Sequence, residues 1–364
     1  MDKPAAPDAV DMRRVEVVAP NFKRRLSGVT STIVQLVPLQ AKRIGIATLG
    51  PGLPGHLPKM RWRQVPALLM RPQARPFRIW HARRNIEMVA GIFLRDVLRA
   101  PMKLVFTSAA QRHHKPFTKW LIRRMDAVVA TSARSGSFLE VPHRVIMHGI
   151  DTERFHPART SEDQFAAAAL PGSFAVGCFG RVRHQKGTDL FVEAMIALLP
   201  DFPDWTAIVT GRVTAEHQVF ADELIGKVEK AGLSNRIFFL GEVPSVDIWY
   251  RRLSLYVAPS RNEGFGLTPL EAMASGTPVV ASDAGAYREL IEEGVTGAVV
   301  PAGDQHALTE AIRGYLSAPE QALEAGRHAA DHARACFALD GEAKALMEVY
   351  EALGRSEGSG ESRA

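Results

Sequence analysis

The chain has 364 residues, 46% of them hydrophobic, and a formal net charge of +6. This length is too great for one ordinary core and favours two domains, and its two cysteines, Cys178 and Cys336, exclude a disulfide framework and fit a reducing compartment. The first residues form no apolar signal core, and no apolar run approaches the roughly 18 residues that cross a bilayer. We therefore expect a cytoplasmic protein.

Charge is divided sharply along the chain. Residues 1–160 contain 28 lysines and arginines against 10 acidic residues, a net charge of +18, whereas residues 161–364 contain 17 against 29, a net charge of −12. A solvated basic face is the ordinary explanation for the first half. The size of the imbalance also suggests an anionic partner or surface for that half.

The first half contains apolar, partly β-branched runs that are typical of buried strands. The strands are predicted over 13–21, 77–85, 103–109 and 125–132. A helix is predicted over 30–39, which puts Gly28 at the first strand-to-helix turn. The second of these strands ends near His81, which could simply be a core or turn histidine.

Residues 61–80 mix arginines with Trp62, Trp80, leucine and methionine. Such a mixture is typical of a segment that lies on an anionic membrane interface. The alternative is a loop and helix with an ordinary apolar face.

The second half alternates strands with helices, which favours a parallel, doubly wound sheet. Strands are predicted over 173–181, 206–211, 236–243, 255–260 and 278–282, with a helix over 188–199. Between the first strand and that helix, Arg181 and Lys186 lie where a strand-to-helix turn meets a helix start. Arginine can grip phosphate oxygens in a bidentate manner and lysine acts as a point charge, although surface cations would also explain the pair.

The stretch 261–304 carries two glutamates, Glu263 and Glu271, around a glycine-bearing loop. Thr268 is a good N-cap, and the glutamate three residues later would complete a capping box, which predicts a helix start there. A strand, a glycine loop and a helix N-terminus together form a site for an anion. Glu271 could be only the capping partner of Thr268, but capping does not explain Glu263.

The pattern E-G-F-G-L-x-x-L-E-A-M-A-x-G-x-P-V-V-A-S, followed by G-x-x-x-E-L-I, closely resembles the nucleotide-sugar site of retaining glycosyltransferases of family 4. These enzymes have the GT-B fold, so the resemblance implies an α/β protein with two Rossmann-like, doubly wound domains facing a cleft. The stretch 180–187 resembles the G-R-(x)4-K-G turn of the family. Residues 142–157 resemble its interdomain linker, with His148 in place of the usual asparagine.

The resemblance implies four parts of the chain. They are a basic, acceptor-binding domain over 1–160, a nucleotide-sugar domain over 161–340, a helix over 341–354 that packs back on the first domain, and a disordered tail over 355–364.

The resemblance also assigns roles to individual residues. Glu263 would hold the donor sugar, Glu271 the ribose, and Arg181 and Lys186 the β-phosphate. The implied catalytic residues are His81, Arg181, Lys186 and Glu263. The implied donor-binding residues are Gly28, Arg181, Lys186, Glu263, Gly264, Phe265, Gly266, Leu267, Thr268 and Glu271. At the first turn the family usually has two adjacent glycines, and this chain has only Gly28.

The implied chemistry is transfer of a sugar with retention of configuration, through same-face attack assisted by the leaving phosphate. The chain has no D-x-D motif, so we expect no metal and no other cofactor, with cations and helix amides stabilising the leaving diphosphate.

The whole chain also resembles bacterial mannosyltransferases of the lipopolysaccharide inner core. This implies GDP-mannose as donor, an anionic glycolipid as acceptor and contact with the cytoplasmic face of the inner membrane.

Several alternatives stay open at this point. The donor could be a UDP-sugar, or the chain could be a sugar-nucleotide epimerase. A phosphorylase would need a pyridoxal lysine, for which no candidate is evident. A nucleic-acid-binding protein would explain the basic half, but would leave the two glutamates and two cations without purpose. The sequence does not reveal the linkage or the oligomeric state.

Overall fold

The computed structural model describes residues 10–24 and 28–358. The chain divides into two units, one formed by Met1–Gly149 with Leu339–Ala364 and the other by Ile150–Ala338. The division precedes the expected boundary at 160/161. The physical reason is that the Ile150 amide donates to the Phe337 carbonyl at 2.8 Å, which ties the segment after Gly149 to the second unit.

The first unit contains a parallel sheet of six strands in the order β2-β1-β3-β4-β5-β6 within the described residues. The strands are β1 Val17–Pro20, β2 Ile46–Leu49, β3 Arg78–Ala82, β4 Met102–Ser108, β5 Ala127–Ala130 and β6 Arg144–Val145. The helices before the second unit are α1 Gly28–Ala41, α2 Asn85–Ile92, α3 Pro116–Ile122 and α4 Ala133–Gly136. A 3₁₀ helix covers Trp62–Leu69, and a π-helical turn, Phe93–Val97, continues α2.

Both faces of the first sheet are covered by apolar side chains. Successive residues of a strand point to opposite faces, so Trp80 and Leu104 join one buried cluster while Ile79 and Val105 join the other. The sheet is therefore buried on both sides, as expected of a doubly wound, parallel arrangement.

The second unit repeats this architecture with a sheet in the order β12-β11-β10-β7-β8-β9. The strands are β7 Phe174–Phe179, β8 Trp205–Thr210, β9 Ile237–Gly241, β10 Leu255–Ala258, β11 Val279–Ser282 and β12 Gly297–Val300. The helices are α5 Thr188–Leu198, α6 Gln218–Lys230, α7 Val246–Arg251, α8 Leu267–Ala274, α9 Tyr287–Leu290, α10 Gln305–Ser317 and α11 Pro319–Cys336. The doubly wound fold expected for both halves is confirmed.

The last helix, α12 (Leu339–Gly358), belongs to the first unit. Its apolar side, including Leu346 and Tyr350, joins the buried cluster to which α1 contributes. The expectation of a disordered tail from residue 355 is wrong for 355–358, because the helix continues there and Arg355 pairs with Glu351 one turn earlier. Residues 359–364 of that tail lie outside the described residues.

The expectation that the whole of 61–80 lies on a membrane interface is wrong for its last residues. Trp80 is buried in the sheet core, and Arg78 is 1% exposed. The Arg78 guanidinium donates hydrogen bonds to the carbonyls of Val15 and Met12 at 3.0 and 2.6 Å. Only the 3₁₀ helix and the residues just after it remain at the surface, with Trp62 and Met70 both 60% exposed.

Candidate active site

The candidate site lies in the second unit, where the order of its sheet reverses. β7 is the first strand of this sheet, and β8 and β9 follow on one side while β10, β11 and β12 follow on the other. The carboxyl ends of β7 and β10 are therefore neighbours, at the kind of switch point where open α/β sheets bind ligands. The loops that follow these two strands hold Lys186 and Glu263.

These two loops are fastened to each other. The Arg261 amide donates to the Gln185 carbonyl at 2.9 Å, and the Arg261 guanidinium donates to both carboxylate oxygens of Asp189 at 2.7 and 2.8 Å. Gly187 has φ +70°, and a Cβ there would lie 1.9 Å from the Pro259 carbonyl oxygen. Only glycine fits this turn, and the approach keeps Lys186 beside the second loop.

The structure brings Lys186 and Glu263 into direct contact as an ion pair, with each side chain 19% exposed. The second carboxylate oxygen of Glu263 accepts from the Gly264 amide at 3.1 Å. Arg181 is half-buried in the same loop as Lys186, directly after β7, and no carboxylate within the described part of the chain pairs with it. The site therefore contains one neutralised cation and one cation that a phosphate could neutralise.

Helix α8 begins two residues earlier than predicted. Its N-cap is Gly266, with φ +88°, and no side chain caps the helix, so the capping box of Thr268 and Glu271 is wrong. The glycine backbone turns the chain into the helix, which leaves Thr268 inside the first turn. The amides of Leu267 and Thr268 have no partner within the helix, because the first turn of any helix lacks acceptors. These amides suit an anion.

Two residues that the sequence analysis gave no role shape this loop. A Cβ at Gly266 would lie 2.2 Å from the Tyr287 ring, and a Cβ at Gly285 would lie 2.6 Å from the Phe265 carbonyl oxygen. The Ala286 amide donates to the same carbonyl at 3.0 Å. The stretch G-A-Y-R-E-L-I begins at Gly285, so the residues quoted for the resemblance contained this signal.

Glu271 makes a contact that the capping explanation did not include. Its carboxylate accepts from the Tyr250 hydroxyl at 2.8 Å, and Tyr250 itself packs against Phe179 with ring centroids 4.8 Å apart. Burial raises the pKa of Glu271 above the ordinary value of 4.5, and the Tyr250 hydroxyl opposes this rise. Tyr250 thus holds the Glu271 carboxylate in place through one of its oxygens. The other carboxylate oxygen is not bonded to that hydroxyl.

His81 lies in the first unit, in β3, and is 1% exposed. Its two ring nitrogens contact the Tyr350 hydroxyl at 2.6 Å and the Thr107 hydroxyl at 2.7 Å. Burial, followed by the charge of Arg83, holds the pKa of His81 well below 6.5. This environment favours the alternative of a core histidine, and the catalytic role of His81 stays a prediction.

Gly28 is the first residue of α1, and among the described residues a Cβ there would meet no atom within 4 Å. Packing against that part of the chain does not require glycine at this position. Its predicted contact with a donor phosphate stays a prediction.

Comparisons with known proteins identify the family. Residues 160–332 match the family described as Glycosyl transferases group 1. The chain is similar to the lipopolysaccharide core biosynthesis mannosyltransferase LpcC of Rhizobium leguminosarum bv. viciae, with 66% identity over 94% of this chain and 98% of that protein. The chain belongs to the group 1 glycosyl transferases. It is an enzyme that transfers a sugar, as the resemblance implied.

Two further likenesses bear on this glycosyltransferase. It is 54% identical to the lipopolysaccharide core biosynthesis mannosyltransferase LpsB of Rhizobium meliloti, over 95% of this chain and all of that protein. A crystal structure of Anabaena HepE is similar with a TM-score of 0.77 at 20% identity, and the match covers 93% of this chain and all of that chain. The second likeness concerns the fold alone, and it confirms the GT-B fold.

The family match, over residues 160–332, lies entirely within the second unit. Every predicted donor residue of the second unit lies within 160–332, whereas Gly28 and His81 lie outside that range. The donor loops of this glycosyltransferase are thus the part of the site that both the family and the geometry describe.

In the first unit, sequence reasoning missed a polar network beside the ends of β1 and β3. The Arg84 guanidinium donates to Asn21 and Glu87, each at 2.8 Å, and to the Thr30 hydroxyl at 3.0 Å. Glu87 also accepts from the Arg83 amide at 2.8 Å. No spacing in the sequence marks these residues as neighbours, because they come from three separate segments.

Within residues 10–24 and 28–358, no group of three or more histidine, cysteine, aspartate or glutamate side chains is arranged to hold a metal ion. The expectation of a metal-independent reaction stays a prediction.

Proposed function

We propose that this glycosyltransferase moves mannose from GDP-mannose onto the inner core of lipopolysaccharide, with retention of the anomeric configuration. Two proteins that are named lipopolysaccharide core mannosyltransferases match it at 66% and 54% identity over nearly their whole length. At such identity over both units, the same donor and acceptor classes are the best-supported assignment.

The observation that carries the proposal is the arrangement at the switch point of the second sheet. Lys186, Arg181 and the first turn of α8 supply positive charge and amide donors, and Glu263 lies against Lys186. In the proposed complex the diphosphate binds the cations and amides, while Glu263 and Glu271 accept hydrogen bonds from sugar and ribose hydroxyls. Carboxylates suit this task because each has several acceptor sites.

The proposed reaction breaks the bond between the anomeric carbon and the β-phosphate oxygen, and the electron pair stays on that oxygen. The acceptor hydroxyl attacks the same face of the sugar and forms the new glycosidic bond, while its proton passes to the departing phosphate oxygen. Arg181, Lys186 and the amides of α8 stabilise the charge that develops on the diphosphate. We propose that these groups suffice without a metal ion.

The acceptor assignment concerns the first unit and the membrane. Within the described residues, no helix is long and apolar enough to cross a bilayer. We propose that the enzyme works as a peripheral protein at the cytoplasmic face of the inner membrane, where its basic first half meets an anionic glycolipid.

A donor panel tests the proposal. The purified chain is incubated with GDP-mannose, UDP-glucose, UDP-galactose or UDP-N-acetylglucosamine and a truncated lipopolysaccharide acceptor, with and without EDTA, and the product is identified by mass spectrometry and NMR. We expect transfer from GDP-mannose alone, an α-linked product and no effect of EDTA. An exposed change on α6, Glu229→Gln, is the matched control for each active-site variant.

Each other outcome of the panel removes a defined part of the proposal. Transfer from a UDP-sugar only would overturn the mannose assignment and spare the family. Conversion of the nucleotide sugar without an acceptor would indicate an epimerase. A β-linked product would overturn retention, and loss of turnover in EDTA would overturn metal independence.

A further inference from the structure

Helix α2 and the π-helical turn after it expose a continuous apolar stripe. Ile86, Val89, Phe93 and Val97 are 57%, 43%, 50% and 62% exposed. They recur every three or four residues, so they share one side of the helix. The opposite side is buried on the sheet, where a Cβ at Gly91 would lie 2.7 Å from the Trp80 ring. The side chains of the stripe therefore take no part in the core of this unit.

The neighbouring helix α3 extends the stripe with two aromatic rings. Phe117 and Trp120 are 58% and 46% exposed and stack with their ring centroids 6.0 Å apart at an angle of 15°. The Asn85 amide group of α2 donates to the Thr118 hydroxyl of α3 at 2.7 Å. Because Asn85 precedes Ile86 and Thr118 follows Phe117, this bond joins the two exposed stripes. We call them together the α2–α3 face.

The segment that contains the α2–α3 face is basic. Residues 83–124 contain ten lysines and arginines against two acidic residues, a net charge of +8. The Arg124 guanidinium lies 4.4 Å from the centre of the Trp120 ring, and it also contacts Asp96 at 3.4 Å. Exposed Arg112 and Lys115 precede α3, and within the described chain neither forms an ion pair with a carboxylate.

Not every cation here is available to a partner. Lys119 and Arg123 both pair with Glu140, and Arg95 pairs with Asp96 and Asp126. Together with the pair of Arg84 and Glu87, these ion pairs involve four carboxylates, those of Glu87, Asp96, Asp126 and Glu140. The net field of the face remains positive.

We propose that the α2–α3 face docks on an anionic lipid bilayer. An exposed row of isoleucine, valine and phenylalanine with a tryptophan at its edge matches the apolar–polar boundary of a membrane, where aromatic side chains concentrate. Unpaired arginine and lysine beside it match negatively charged headgroups. This charge complementarity favours a bilayer over a second copy of the chain, whose identical face would carry the same positive charge.

The docking proposal deepens the proposed function. It rests on that function only because a lipid-linked acceptor explains why the enzyme would bind a membrane. Lipid binding itself can be measured without donor, acceptor or turnover. The chain also offers a matched control, because Trp62 and Met70 are as exposed as the residues of the α2–α3 face and also lie in the basic first half.

The test is co-sedimentation of the full chain with vesicles of phosphatidylcholine alone or mixed with phosphatidylglycerol. Five proteins are compared: wild type, Phe117→Ser/Trp120→Ser, Ile86→Ser/Phe93→Ser, Arg112→Gln/Lys115→Gln, and the control Trp62→Ser/Met70→Ser. We expect wild type and the control to bind the anionic vesicles alike, and each α2–α3 variant to bind at least about tenfold more weakly. Arg112→Gln/Lys115→Gln should lose roughly tenfold on anionic vesicles, and added salt should weaken wild-type binding.

Defined results would overturn the docking proposal. Equal binding of wild type and both α2–α3 variants would contradict it. Loss of binding in the Trp62/Met70 control alone would also contradict it. A dimer in solution that these variants dissociate would assign the face to a second copy instead. Circular dichroism and thermal unfolding verify that each variant is folded, and the two separate double variants keep the test valid if one of them is not.

Transfer to a soluble, truncated acceptor separates the two proposals. We expect the α2–α3 variants to keep wild-type turnover with it and to lose turnover only when the acceptor is embedded in anionic vesicles. No transfer by wild type to any acceptor, with lipid binding intact, would count against the proposed function and leave the docking face standing.

Discussion

The two units share a topology but differ in what their switch points can hold. In the first sheet the strand order reverses between β1 and β3, and in the second between β7 and β10. At the first point, Arg84 is occupied by Asn21, Thr30 and Glu87. At the second point, Arg181 pairs with no carboxylate among the described residues, and α8 presents its N-terminus. Topology thus supplies the location, and the loops decide whether it suits an anion.

The overall charge of each half predicts the opposite of this local pattern. The first half is strongly basic, yet beside β1 and β3 its cations meet protein acceptors. The second half has a net charge of −12, yet its switch point gathers cations and helix amides. The contrast supports the proposal that the second unit binds the diphosphate and that the basic surplus of the first unit serves larger anionic surfaces.

The largest effect is expected from removing the Lys186 side chain, which tests directly whether the second switch point acts on the diphosphate. We expect Lys186→Met to lower kcat by about 10²–10³-fold, because a preorganised cation at the leaving diphosphate is lost. The same change on α6, Lys227→Met, removes an exposed ion pair with Glu193 and should leave kcat within about twofold. Steady-state kinetics with GDP-mannose measures both.

Removing Lys186 also leaves the Glu263 carboxylate without its partner. The double variant Lys186→Met/Glu263→Gln separates this electrostatic side effect from catalysis, since it restores neutrality. Thermal unfolding should show the double variant to be at least as stable as the single one. Near-normal kcat in Lys186→Met would contradict the assignment of the diphosphate to the second unit.

A smaller effect is expected at Glu271. We expect Glu271→Gln to raise KM for the donor by roughly tenfold, because a neutral amide accepts weaker hydrogen bonds from a ribose than a carboxylate does. Glu229→Gln on α6 should leave KM unchanged. A KM equal to that of wild type in Glu271→Gln would contradict its role as a donor ligand.

Although Glu271→Gln should weaken donor binding, it should raise the stability of the fold at pH 7. Because the pKa of Glu271 is raised in the fold, its protonated form is the favoured one, and its contribution to stability is lost as pH rises through that raised pKa. At pH 7 glutamine avoids this cost and still accepts from Tyr250. The variant should therefore melt above wild type at pH 7, and the difference should shrink as pH falls towards 4.5, the ordinary value.

Much of the second unit could be predicted because its signals are local. Apolar runs ending in glycine, proline or serine marked β7, β8, β9, β10 and β11, and the loops after β7 and β10 carried the charged residues of the site. The start of α8 was misjudged because threonine, proline and glutamate imitate a capping box. The observed start depends on Gly266 at φ +88°, a backbone property that many glycine positions could adopt.

What could not be predicted depends on contacts between distant segments. The ion pair of Arg261 with Asp189 and the hydrogen bond from Tyr250 to Glu271 join residues about 70 and 20 positions apart. Nothing in a single sequence marks such partners. Trp80 lies both in the predicted strand 77–85 and in the predicted interfacial segment 61–80, and the packing of Gly91 against its ring decides for the strand.

The smallest effect on turnover is expected at His81. This residue tests whether the first unit contributes a catalytic side chain. With both ring nitrogens engaged by Tyr350 and Thr107, His81 should act as a core residue. We expect His81→Asn to lower stability at pH 7 by about 1–3 kcal/mol, because asparagine cannot reach both hydroxyls. Corrected for the folded fraction, kcat should change by less than about threefold.

The pH dependence of stability gives His81 an independent signature. Its pKa in the fold is held well below 6.5, so unfolding takes up a proton, and the stability that His81 contributes is present above pH 6.5 and declines as pH falls towards the lowered value. Denaturant titrations between pH 7 and pH 5 should therefore show a shallower loss of stability in His81→Asn than in wild type. Equal slopes would contradict the lowered pKa of His81, and a drop in kcat of about 10²-fold in a folded variant would support the catalytic role that the family implies.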